Sequence, residues 1–205
     1  MRLNNKEKMT GVASNPGFIK VDILHWVKFY PVQTIGRFGS ILASAFFANL
    51  FPICYIYLIV MFYLERSYWR WVKGHFIYGC INPAVIVTLN PLLAAVSTDL
   101  TNRDGYYPVI KIIKVKPFTI DGQPLGIGTK IPTVALYSRK HATEYRWGGF
   151  NPIPVAYATS DASEIQRCLD SIEDSDWQEL FEHLKEIPEP YKAGLYKLFD
   201  EFEQI

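Results

Sequence analysis

The sequence predicts an α+β chain. An N-terminal membrane-anchoring helix comes first, then a small, strongly bent β-sheet or partly open barrel of about five strands, then C-terminal amphipathic helices. Three observations carry this. Residues 38–64 hold no charged side chain. Short apolar runs punctuated by Gly, Pro and Asn follow them. The last third returns to apolar residues at helical spacing. The divisions that follow are a basic segment over 1–37, a transmembrane or re-entrant helix over 38–64 and an interfacial linker over 65–75. A β domain over 76–160 and an acidic helical tail over 161–205 complete the chain.

Composition sets the limits. With 205 residues the chain has room for one domain plus an attachment. It is 49% hydrophobic and 20% charged, which supplies ample apolar surface and excludes disorder. A net charge of +1 leaves no footprint for a nucleic-acid partner. The opening MRLNNKEKMTGVASNPG is polar and does not read as a signal peptide. Three cysteines, Cys54, Cys80 and Cys168, cannot form a fully paired framework. Cys54, inside the apolar run, and Cys168, on a helix face, read as small buried groups, and a reducing compartment is the economical reading. The four histidines are scattered, without metal-ligand spacing, so no metal or cofactor is expected.

The uncharged run reads FGSILASAFFANLFPICYIYLIVMFYL. About 20 helical residues cross a hydrocarbon core of about 30 Å, so its length suffices for one tilted span. Arg66, Trp69, Arg70 and Trp71 follow it, a mixture of basic and aromatic side chains suited to a membrane interface. Pro52 either kinks a span or marks the turn of a re-entrant hairpin. The single kinked span is the preferred reading. Basic residues on both flanks lean toward a cytoplasmic C-terminal domain. The competing explanation is a core helix, disfavoured because every face is apolar.

A second apolar stretch, FIYGCINPAVIVTLNPLLAAV, spans 76–96. Asn82-Pro83 and Asn90-Pro91 would break a second span and read as turns. The runs 84–89 and 92–98 then read as buried strands, with a second membrane span as the alternative. Further strands are expected over 107–116, 130–138 and 152–159, with Asp121-Gly122 as a turn. In the tail, Ile165, Cys168, Leu169 and Ile172 recur at helical spacing. Ser175-Asp-Trp-Gln178 matches a capping box ahead of Trp177, Leu180, Phe181 and Leu184. A last short helix is expected over 193–202. Residues 1–75 carry +6, 76–150 carry +4 and 151–205 carry −9. A basic first half fits attraction to anionic headgroups, although solvated acidic helices explain the tail equally well.

The order NPAVIVT, AAVSTDLT, YPVIKI, PTVALY and WGGFNPIPV, over roughly residues 79–196, resembles an uncharacterised bacterial family known only as a domain of unknown function. The resemblance implies one folded unit across these segments. It carries no activity and assigns no functional residue.

Catalytic signatures are missing: there is no G-x-S-x-G, P-loop, H-E-x-x-H or C-x-x-C. The glycine-rich GQPLGIGTK leads into a strand rather than a helix, so it reads as a turn. Asp99 and Arg103 lie in a loop whose spacing fails as a calcium site. The loop 139–150 mixes Arg139, His141, Arg146 and Trp147, a combination suited to a ligand or partner contact. Asp99 and His141 could also form an acid–base pair. The function expected is therefore a membrane-anchored binding or assembly protein, single-pass or monotopic. It would touch membrane lipid and offer its β domain or acidic helices to a protein partner. An enzyme using the strand-end loops, and a soluble oligomer with the apolar helix in its core, stand as alternatives.

Overall fold

The structure, a computed structural model, describes residues 13–48, 51–120 and 122–199. Three helices open it: α1 (Ile23–Phe29), α2 (Pro31–Ala48) and α3 (Ile53–Tyr78). Strands β1 (Cys80–Leu89), β2 (Leu92–Asp99) and β3 (Pro108–Lys114) follow, then the two-residue β4 (Thr119–Ile120) and β5 (Gln123–Pro124). Strands β6 (Lys130–Ser138) and β7 (Gly149–Pro154), a 3-10 turn (Val155–Tyr157), α4 (Ala162–Asp170), α5 (Asp174–Leu184) and β8 (Gly194–Lys197) complete it.

The apolar run does not form one helix. The Phe51 N–H ends α2 by donating to Phe47 O at 2.9 Å, and Pro52 leads into the first turn of α3. Proline lacks the N–H that would continue the α2 ladder, so the break falls there. α2 and α3 pack together as a hairpin. No helix among the described residues is long and apolar enough to cross a membrane. The expected span is corrected by a second finding as well. The segment before the hairpin is hydrogen-bonded to the domain after it: Gly17 N donates to Gly79 O, Ile19 N to Phe76 O and Ile81 N to Asn15 O. A single pass would put those partners on opposite sides of a bilayer. Nor is 65–75 a linker, because α3 runs through it unbroken.

The β prediction is close. Six antiparallel strands form one sheet in the order β7-β6-β1-β2-β3-β8, curled into a half-barrel. A register irregularity between Ile86 and Thr88 adds twist in the central strand. Lys111 bridges the curl, its Nζ donating to Phe150 O at 2.5 Å, so β3 reaches across to β7. Burial holds the Lys111 ammonium below its ordinary pKa. Asn90-Pro91 lies at the β1–β2 turn, as expected, but Asn82-Pro83 lies inside β1. Pro83 faces Pro132 of β6. Two opposed prolines can only be a non-hydrogen-bonded pair, so the missing N–H of Pro83 points toward β2. The β1–β2 ladder begins only at Ala84↔Val96, so no bond is lost there.

The helical tail is half right. α4 buries Ile165 and Cys168, and α5 buries Trp177 and Leu180. The capping box is not formed; Glu173 is the N-cap of α5, and Ser175 Oγ donates to the Glu173 carboxylate at 3.3 Å. The expected last helix is instead β8, paired along β3 through Ile110↔Tyr196. Residues 200–202 of that expectation, and Asp121 of the expected turn, lie outside the described residues. Gly122 does take the left-handed conformation of a turn, φ 75°.

The base of α3 is the keystone contact. Val72, His75 and Phe76 are fully buried against β6, and His75 Nε2 donates to Val134 O at 2.8 Å. At Gly79, where α3 turns into β1, a Cβ would sit 2.4 Å from His75 O and 2.6 Å from Val134 Cγ1. Gly79→Ala is therefore expected to destabilise the fold by about 1–3 kcal/mol, read as a lowered urea midpoint. Burial also depresses the His75 pKa below its ordinary 6.5. The folded state keeps His75 neutral, whereas the unfolded chain takes up a proton as pH falls below about 6.5. Stability is thus full above that pH and declines below it, down to the lowered pKa. His75→Gln should flatten this part of a stability-versus-pH curve measured by thermal melting.

Candidate membrane-contacting site

Only one seam of the hairpin is covered. On α2, Ser44 and Ala48 are buried and Arg37 and Ile41 are half-buried; on α3, Cys54, Leu58, Met61 and Glu65 are half-buried. These positions recur every three or four residues, which places them on facing stripes. Small residues on α2 allow close approach of the two backbones. Ser44 Oγ is satisfied within its own helix, donating to Ser40 O at 2.6 Å.

The outer surface is apolar and open. Among the described residues, fourteen of the 27 exposed large hydrophobics lie within residues 38–64, which concentrates them on this one protrusion. Leu42 and Phe46 on α2 are 71% and 70% exposed, and Ile53 and Ile59 on α3 are each 69% exposed. Taking such a side chain out of water contributes about 1.5–3 kcal/mol. At about 1.5 Å per residue, the stretch from Ile53 to Leu64 is about 18 Å tall. That is close to half of a hydrocarbon core of about 30 Å.

A polar and aromatic collar ends the apolar shaft. Arg37 lies 3.8 Å from the Glu65 carboxylate, and its guanidinium sits 3.7 Å from the centre of the Tyr68 ring. Trp69 Nε1 donates to Glu65 Oε1 at 2.6 Å. Trp26 Nε1 of α1 donates to Tyr68 Oη at 2.9 Å. The collar therefore joins all three helices. Arg66 and Arg70 point outward from it and Trp71 is 48% exposed. Of the residues expected at an interface, Trp69 is tied into the collar and Arg66, Arg70 and Trp71 line its outside.

The other expected site residues gather elsewhere. Asp99 accepts from Thr101 N at 2.9 Å, from Thr101 Oγ1 at 2.7 Å and from Tyr107 N at 2.8 Å. Its carboxylate closes a loop and does not meet His141, which is exposed in a left-handed turn residue, φ 63°. Arg103 pairs with Glu144 at the surface. Arg139 lies 5.8 Å from the Trp147 ring, and Arg146 5.1 Å from the Phe199 ring. Trp147 N donates to Leu100 O at 2.8 Å, and Asn102 N to Tyr145 O at 2.7 Å. The two loops are thus brought together, but as a clasp of backbone bonds. They lie at the rim where β2 and β6 end, opposite the rim where β3 and β7 end beside the hairpin.

Sequence reasoning missed a polar cavity of about 180 Å³ lined by Asn82, Ser97, Thr98, Asp99, Tyr137 and Asp176, among others. It opens where β1 and β2 part beyond Ala84↔Val96. Burial pushes the Tyr137 hydroxyl pKa up, and Thr98 Oγ1 lies 2.6 Å from it. Partial burial also raises the Asp176 carboxyl pKa. Pro83 and Pro132, which cannot extend both ladders, were the available signal. Among the described residues no group of three or more His, Cys, Asp or Glu is placed to hold a metal ion.

Comparison with known proteins is sparse. No curated protein matches the chain. A solved structure, "Crystal structure of a putative membrane protein from Corynebacterium diphtheriae", is 24% identical, with a TM-score of 0.45, over 58% of this chain and 99% of that one. Residues 71–187, more than half of the chain, match the family model described as "Protein of unknown function (DUF3239)", and the protein belongs to that family.

Proposed function

We propose that this is a monotopic membrane protein whose α2–α3 hairpin enters one leaflet and holds the half-barrel at the bilayer surface as a binding platform. The observation that carries the reading is the apolar outer surface of the hairpin, exposed on both helices and ended by the collar. Its height of about 18 Å suits one leaflet and falls short of two. Aromatic and basic side chains at Trp69, Trp71, Arg66 and Arg70 then sit at headgroup depth, where such residues are stabilised. Both ends of the hairpin emerge on the same side, which agrees with the bonds between Asn15–Ile19 and the domain. The basic collar favours the anionic cytoplasmic face. The acidic surface of α4 and α5 remains available to a protein partner.

Vesicle flotation tests this. The full chain should float with phosphatidylcholine vesicles without added detergent. A variant combining Leu42→Ser, Phe46→Ser, Ile56→Ser and Val60→Ser should bind roughly 100-fold more weakly or worse. Its thermal midpoint should hold, because all four side chains are exposed. A chain that runs as a discrete oligomer on gel filtration and stays off vesicles would sink the reading. That outcome would favour hairpins packed against one another.

A further inference from the structure

We propose that the crevice between the collar and the sheet rim binds the headgroup of one anionic phospholipid. This rests on the hairpin lying in a leaflet. Two cavities meet there. The lower one, about 480 Å³, begins beside Met61 and Leu64 of the apolar shaft and rises past Arg37. The upper one, about 370 Å³, continues past Gln33 to Lys114 at the end of β3 and to Asn151 and Pro154 of β7. Tyr68 and Trp71 line both, so the two form one groove. Its lower end is apolar, at the depth of acyl chains. Its upper end is polar, at the depth of phosphates.

Charge decides the class of headgroup. Lys114 is exposed, and its side chain has no hydrogen-bond or ion-pair partner among the described residues. Lys116 lines neither cavity, but its Nζ lies 4.2 Å from the ring of Tyr30, a wall of the upper one, and donates to Phe29 O. Glu65 is the one carboxylate lining either cavity, and it is engaged by both Arg37 and Trp69. The groove is therefore net positive where a phosphate would lie. Aromatic walls alone would suit a choline cation. Here Arg37 covers the Tyr68 ring and Lys116 faces the Tyr30 ring, so a cationic headgroup meets like charge. A phosphate whose charge is not balanced by choline gains charge-assisted bonds instead.

A soluble lipid separates this from insertion of the hairpin. Dihexanoyl phosphatidylglycerol, kept below its micelle concentration, is titrated into the full chain and followed by tryptophan fluorescence. Trp26 and Trp71 line the upper cavity. Saturable binding is expected, roughly tenfold tighter than for dihexanoyl phosphatidylcholine. Lys114→Glu should weaken it roughly tenfold while leaving flotation on neutral vesicles intact. Arg66→Glu with Arg70→Glu, outside the groove, should leave the short-chain affinity unchanged. Flotation without saturable short-chain binding would overturn the groove and spare the hairpin. Short-chain binding without flotation would support the groove and overturn the hairpin. Equal affinity for the two lipids, an unaffected Lys114→Glu, or inorganic phosphate matching the lipid's effect would each overturn the proposal.

Discussion

The hydrogen bonds between residues 15–19 and the junction of α3 with β1 constrain everything else. Asn15, Gly17 and Ile19 are bonded to Ile81, Gly79 and Phe76. Chain that precedes the apolar run is thereby fixed to chain that follows it. Whatever the run does, it must leave this point and return to it. Gly17 and Gly79 make the approach possible: a Cβ on Gly17 would lie 2.4 Å from Phe76 O. The break at Phe51-Pro52 then converts 27 uncharged residues into two antiparallel arms instead of one span.

α3 divides into two environments without interruption. Its last turns bury Val72, His75 and Phe76 against β6. Its first half carries apolar side chains into the open. A continuous helix transmits position rigidly, so the collar and the sheet hold a fixed relation. The groove is a product of that relation, since its walls come from α1, α2, α3, β3 and β7. The family match begins at residue 71, where α3 enters the sheet. The matched region thus holds strands β1 to β7 with α4 and α5, and both β8 and the apolar shaft lie outside it.

Prolines shape the sheet. Pro83 and Pro132 face one another, and Ile81 bonds Asn15 where β2 would otherwise continue. β1 is buried almost throughout, covered by helices and by the inside of the curl. The polar cavity beside Asp99 and Tyr137 follows directly from the parting of β1 and β2. The loops at the far rim are occupied with holding that rim shut, with Asp99 organising one and Trp147 anchoring the other.

Local chemistry alone determined much of this protein. Four strands, α4 and α5 were legible because alternation, turn residues and helical spacing act over a few neighbours; the strand expected over 152–159 instead begins at Gly149 and gives way to a 3-10 turn at Val155. The absence of charge over 38–64 was legible for the same reason. The missing pieces depended on partners distant in sequence. Pro83 read as a turn, because nothing local shows that its absent N–H faces a gap. Residues 194–197 read as helix, because the edge of β3 that captures them lies more than 80 residues earlier. Asp99 and Arg103 read as candidates for chemistry, since residue type does not reveal that the Asp99 carboxylate closes its own loop and that Arg103 pairs with Glu144. The decision between span and hairpin was likewise out of reach. Pro52 permits both; the packing of α2 on α3 and the bonds from residues 15–19 to β1 and α3 choose between them.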